Sequence, residues 1–168
     1  MKLSYQALLY SILLSLLSAC GFHLRGMVPL PPSFQHVYII APPNGRSLQL
    51  KLEEQLQAYR VQKSDSAAQS AFQIVIDNVV FNRQISNISS STTPRQFQLS
   101  YVVTYHLMDS HNGNVIPRGQ AVSNRLVSMN SERLLGSNYE QDFFMHEMED
   151  EIATQILLTI NHYFANQS

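Results

Sequence analysis

The apolar residues change period several times along the chain, and each change marks an element. From Phe34 to Ile40 the residues are β-branched and aromatic, and Pro42-Pro43-Asn44-Gly45 closes the run, which predicts a strand and a turn. Leu48, Leu52, Leu56 and Tyr59 then recur at helical spacing, so a helix is expected from Ser47, a candidate N-cap, to Tyr59. Phe72, Ile74 and Ile76 alternate with polar neighbours, and the apolar signal runs on through Val79, Val80 and Phe81, as in a long strand. A polar stretch from Ser86 to Arg95 separates it from the next strand, and its Ser-rich part, Ser86 to Thr93, reads as a mobile hairpin tip in preference to a hydroxyl cluster for glycan contact. After it, Phe97, Leu99, Tyr101, Val103, Tyr105 and Leu107 share one face of a strand whose other face carries Gln98, Ser100, Thr104 and His106.

Asn112-Gly113 suits a type I′ turn, so that strand should fold back on Val115–Met129, where Pro117 and Gly119 signal a bulge or an edge. Last comes a helix over about Tyr139–Phe164, with Phe144, Met148, Ile152, Ile156, Ile160 and Tyr163 in one stripe and Phe143 and Leu157 beside it. Strand, helix, three strands, helix predicts an α+β two-layer sandwich: a four-stranded mixed sheet with two helices on one face. The first helix serves as a crossover that sets strand one parallel to a neighbour. Periodicity leaves the strand order open, and it leaves the second face of the sheet uncovered.

The first residues belong to a different unit. Lys2 precedes a mostly apolar run from Ala7 to Leu17, too short for a bilayer span of about 20 residues and ending in small residues, as a cleaved export signal does. Leu17-Ser18-Ala19-Cys20 looks like a lipobox, which makes Cys20 the expected site of S-diacylglycerol and N-palmitoyl attachment. The expected divisions are therefore a signal peptide at 1–19, a lipidated cysteine and proline-rich tether at 20–33, and one folded domain at 34–168. Cys20 is the only cysteine, so no intramolecular disulfide supports the fold. A formal net charge of −1 with 14% charged residues gives no basic field for nucleic acid.

The residues offer little for catalysis, and no enzyme activity, metal or cofactor is expected. His146-Glu147-Met148-Glu149-Asp150 starts like a zinc-protease helix, but Asp150 stands where the second histidine is needed. His106 and His111 are five apart, which puts strand side chains on opposite faces. No nucleophile elbow or phosphate-cradling glycine loop occurs. Arg83, Arg95, Arg118, Arg125 and Arg133 lie beside loops, each either a solvated charge or a phosphate contact, with Arg95 and Arg133 best placed to reach an anionic lipid.

Cys20-Gly21-Phe22-His23-Leu24-Arg25-Gly26 resembles the mature start of the LPS-assembly lipoproteins, the LptE family, and Glu140-Gln141-Asp142 with Glu147-Met148 resembles the opening of that family's last helix. The resemblance implies an outer-membrane lipoprotein, anchored through its lipid on the periplasmic side, that plugs the β-barrel translocon of lipopolysaccharide. It also implies a role in assembling that barrel, in inserting lipopolysaccharide into the outer leaflet, and in contacting lipopolysaccharide through basic residues near the sheet tips. Gly21 accords with outer-membrane sorting. The alternative is a periplasm-facing accessory lipoprotein of a lipid transport system that enters no barrel.

Overall fold

The computed structural model describes residues 30–87, 95–111, 113–129 and 137–166. Within them the order is strand β1 (Val37–Ile40), helix α1 (Arg46–Ala58), strands β2 (Phe72–Asn87), β3 (Arg95–Asp109) and β4 (Gly113–Met129), and helix α2 (Ser137–Ala165). The sheet runs β1-β2-β3-β4, with β1 parallel to β2 and the other pairs antiparallel. This is the mixed four-stranded sheet expected, and the strand order follows chain order. The expected turn at Asn112-Gly113 falls partly outside the description, since Asn112 is not described; Gly113 has φ 82°, the left-handed conformation such a turn requires.

Strand β1 is shorter than the apolar run that predicts it. His36 is left-handed, with φ 55°, and this interrupts an extended chain. Phe34 precedes the break and does not pair in the sheet. Its N–H donates to the Pro31 carbonyl at 2.8 Å, and its buried ring packs on Phe72 and Phe164 with centroids 5.1 and 5.7 Å away. Aromatic packing has taken a residue that its composition assigns to the strand.

Helix α1 begins at Arg46 behind Gly45, not at a Ser47 cap; no side chain caps it. Ser47 instead donates through Oγ to Glu149 Oε2 on α2, at 2.7 Å. At the other end, Arg60 adopts φ 61° and donates to the Gln57 carbonyl, while Val61 N–H reaches the Leu56 carbonyl at 3.0 Å. This paired closure stops the helix cleanly, with a left-handed residue where glycine is commonest.

Both helices pack on one face of the sheet. Leu48, Leu52 and Leu56 from α1, and Met148, Ile152, Ile156 and Ile160 from α2, meet Ile74, Leu99, Val103 and Leu107 in a single core. Each such side chain contributes about 1.5–3 kcal/mol on full burial. Phe143, which the stripe places beside the core, is 59% exposed. Along β4, α2 adds polar contacts: Ser123 donates to Glu151 at 2.7 Å and Arg125 to Glu147 at 2.7 Å.

Candidate functional site

The face of the sheet that no described helix covers is organised in rows across β2, β3 and β4. Asn78, Thr104 and Gln120 form one row, followed by Val80, Val102 and Val122, then Asn82, Ser100 and Asn124, then Gln84, Gln98 and Leu126. None of these twelve side chains is ionisable. An aliphatic stripe thus lies between amide rows, and Asn82, Gln84, Gln98 and Ser100 line a shallow depression of ≈ 170 Å³. An antiparallel sheet face in water usually carries charge among its polar residues; a face without it is cheap to desolvate against another polar, uncharged surface.

Charge gathers at one end of this face, and two irregularities in the ladder put it there. In β2 the register slips between Ile76 and Asn78, so Asp77 is an extra residue opposite β3. In β4 the pairing steps from Ile116 opposite Leu107 to Gly119 opposite Tyr105, which leaves Pro117 and Arg118 against His106. The bulge expected from Pro117 and Gly119 is therefore present. Together the two slips bring Asp77, His106 and Arg118 from three strands into contact.

His106 Nδ1 lies 2.8 Å from Asp77 Oδ2, and Arg118 donates from Nε and Nη2 to the two carboxylate oxygens at 3.1 and 3.0 Å. Burial by itself would raise the Asp77 carboxyl; the hydrogen bonds and charges of His106 and Arg118 outweigh it and hold the group below the usual carboxylate range. Arg118 is therefore an ion-paired surface cation: it neutralises Asp77 while its side chain stays 68% exposed. The odd intervals Ile76 to Val79 and Ile116 to Ala121 on the buried face were the sequence signal for both slips.

A second polar cluster lies inside the core. Glu149, 2% exposed, accepts from Ser47 at 2.7 Å and from Tyr101 at 3.4 Å, and His146 Nδ1 is 3.2 Å away. Burial first, and the Glu149 carboxylate second, push the Tyr101 phenol far above its ordinary value. The serine donates to the carboxylate and makes no contact with the imidazole, so the group is not ordered as a hydrolase triad. It ties α1, β3 and α2 together. Asp150, in the broken zinc motif, faces Lys51 at 3.3 Å.

The candidate site residues fare unequally. Cys20 and Arg133 lie outside the described residues. Arg95 opens β3, opposite Met129 at the end of the sheet distal to the charged cluster, and its side chain is likewise outside the description. Arg125 is engaged by Glu147 at 2.7 Å and Glu151 at 3.9 Å. Arg83 has no carboxylate partner among the described residues; it donates to Gln141 at 2.7 Å and lies over the Phe97 ring at 5.0 Å. Among the described residues no group of three His, Cys, Asp or Glu is placed to hold a metal ion. No described helix is long and apolar enough to cross a membrane.

The same architecture occurs in solved bacterial lipoproteins. An uncharacterized lipoprotein B from Nitrosomonas europaea superposes with a TM-score of 0.69 at 27% identity, covering 86% of this chain and 93% of that one. A minor lipoprotein from Acinetobacter baumannii gives 0.66 at 19% identity, covering 83% and 96%. The rare lipoprotein B from Shewanella oneidensis gives 0.68 at 15% identity, covering 79% and 98%. No curated protein sequence matches the chain. The class is thus a small lipoprotein domain in which one face of the sheet is covered by none of the described helices. The family model for lipopolysaccharide assembly, LptE, matches residues 34–160, and the chain belongs to that family.

Proposed function

We propose that this protein is anchored by acyl chains on Cys20 to the periplasmic side of the outer membrane, where it complexes with the lipopolysaccharide translocon barrel. In that complex it assists folding of the barrel and the passage of lipopolysaccharide to the outer leaflet. Membership of the lipopolysaccharide-assembly family supports the process. The lipobox Leu17-Ser18-Ala19-Cys20 supports the anchor, since several acyl chains give stable attachment without a membrane-crossing helix.

The single structural observation that carries the barrel contact is the uncharged open face. Four successive rows across three strands hold only amides, hydroxyls and aliphatic side chains. Such a surface loses no ionic hydration when a barrel wall covers it, so burial costs little and the aliphatic stripe gains. The role is one of scaffolding and binding, not of catalysis. Arg95 and Arg133 remain our proposed contacts for lipopolysaccharide phosphate.

Affinity purification of the full chain from membranes in mild detergent tests the reading. A large β-barrel protein should co-elute in fixed proportion and stay bound through gel filtration. Recovery with subunits of a periplasmic transporter and no barrel would favour the accessory role instead.

A further inference from the structure

The outer edge of β4 carries backbone groups that a barrel contact through the open face leaves unused. Val122 points its N–H and C=O away from β3, where the Gln155 side chain takes them at 3.3 and 3.1 Å. Alternate residues of a strand share that direction, and the ladder with β3 runs without a slip from Gly119 to Met129, so Asn124 and Leu126 point theirs outward as well. Among the described residues nothing pairs with these groups. Natural edges are blunted by proline, lysine or a covering element. From Asn124 to Val127 there is neither proline nor lysine, and the Arg125 side chain is drawn onto α2 by Glu147 at 2.7 Å.

The two sides of this edge favour different neighbours. On the open face lies Leu126, 63% exposed, with Asn124 and then Val122 behind it. On the helix side Glu147, Glu151 and Gln155 follow at four-residue intervals along α2, which keeps them in one stripe, and they meet Arg125, Ser123 and Val122 in turn. Arg125 reaches the two carboxylates at 2.7 and 3.9 Å, and among the described residues no other cation pairs with either. Two acids against one guanidinium leave the stripe negative. A chain added here is matched by an aliphatic side chain beside Leu126 and a basic one beside the acids. A second copy of this protein is a poor match: pairing β4 with its twin sets one acidic stripe against another, and Gln155 keeps the bare edge short.

We infer that the edge of β4 at Asn124 and Leu126 receives an extended segment of a different protein as a fifth strand, aliphatic on its open-face side and basic on its helix side. The inference rests on the proposed function for the identity of that protein, the barrel, because this edge and the uncharged face meet at Leu126. It adds backbone pairing as the mode of contact.

Hydrogen exchange of the full chain, free and in its detergent-extracted complex with the barrel protein, reads the pairing directly. The Asn124 and Leu126 amides should exchange readily in the free chain and about ten-fold or more slowly in the complex, the protection of one hydrogen bond at ordinary net value. Asn124→Pro removes one outward donor without touching the ladder with β3, a kind of edge position that accepts proline. It should recover about ten-fold less barrel than Asn124→Ala, which loses the same side chain and keeps the donor. Glu151→Gln, still able to accept from Ser123, should weaken recovery and make it less sensitive to salt. If the barrel co-elutes while both amides exchange as in the free chain, or the proline and alanine variants recover it equally, the edge assignment is overturned and the proposed function stands. If the wild type brings down no barrel, the two fall together. Slowed exchange that develops in the free chain as its concentration rises would overturn the assignment to a different protein in favour of a second copy.

Discussion

Gln155 on α2 pairs with Val122 at the outer edge of β4 as a neighbouring strand would: its Nε2 donates to the Val122 carbonyl at 3.1 Å, and its Oε1 accepts from the Val122 N–H at 3.3 Å. One side-chain amide thereby satisfies both outward backbone groups of an edge residue. An edge left bare is a template for pairing with another chain. Gln155→Ala should therefore cost about 1–2 kcal/mol, two hydrogen bonds at ordinary net value. Denaturant unfolding measures that loss, and sedimentation at rising concentration should show self-association that the wild type lacks.

Arg60 ends α1 in a left-handed conformation that a side chain makes costly. Its own N–H and that of Val61 complete the closure, and both bonds survive removal of the side chain. Arg60→Gly should raise stability by about 0.5–1 kcal/mol, the relief of left-handed strain less the entropy that glycine loses. A denaturation midpoint unchanged or lowered would show that the Arg60 side chain supports the turn.

Glu149 accepts from the half-buried Ser47 hydroxyl and from the buried Tyr101 phenol. Glu149→Ala strands both and should destabilise by about 2–3 kcal/mol, with Glu149→Gln closer to wild type because one acceptor remains. A double-mutant cycle with Ser47→Ala should show coupling, since removing both partners leaves less unsatisfied than removing the carboxylate alone. Additive losses would contradict the network.

The Asp77 carboxyl sits lower in the fold than in the unfolded chain. Stability from this group is therefore fully present above the unfolded value, roughly pH 4, and is lost as pH falls through the lower folded value. Asp77→Asn should be less stable than the wild type at neutral pH, and its stability should fall less steeply over that acid range. Parallel curves for the two proteins would sink the assignment.

Much of this architecture was written in side-chain periodicity. The unbroken alternation from Phe97 to Leu107 fixes the buried face of β3, and Met148, Ile152, Ile156 and Ile160 fix that of α2. Local pattern failed where tertiary contacts decided. Phe34 left its strand for Phe72 and Phe164, Ser47 gave up a cap for a carboxylate 102 residues away, and Phe143 faces solvent beside a buried stripe. The charged cluster was half legible: the odd apolar intervals announce the bulges, but nothing in sequence pairs Asp77 with Arg118 across two strands. Arg83 could not be told from its fellow arginines until their carboxylate partners were known.

The lipid anchor makes a separate prediction. Cys20→Ser should abolish incorporation of labelled fatty acid, since the thiol expected to take the acyl group is gone. Labelled mutant protein would refute attachment at Cys20.

The account depends most on which surface meets the barrel. Photoreactive side chains placed at Val80 or Leu126 on the open face, and at Leu158, 46% exposed on α2, can report this in living cells. The open-face positions should each yield a covalent adduct with the large β-barrel protein, in higher amount than Leu158 does. Adducts confined to Leu158, or none from Val80 and Leu126, would contradict the central claim that the uncharged sheet face is the docking surface.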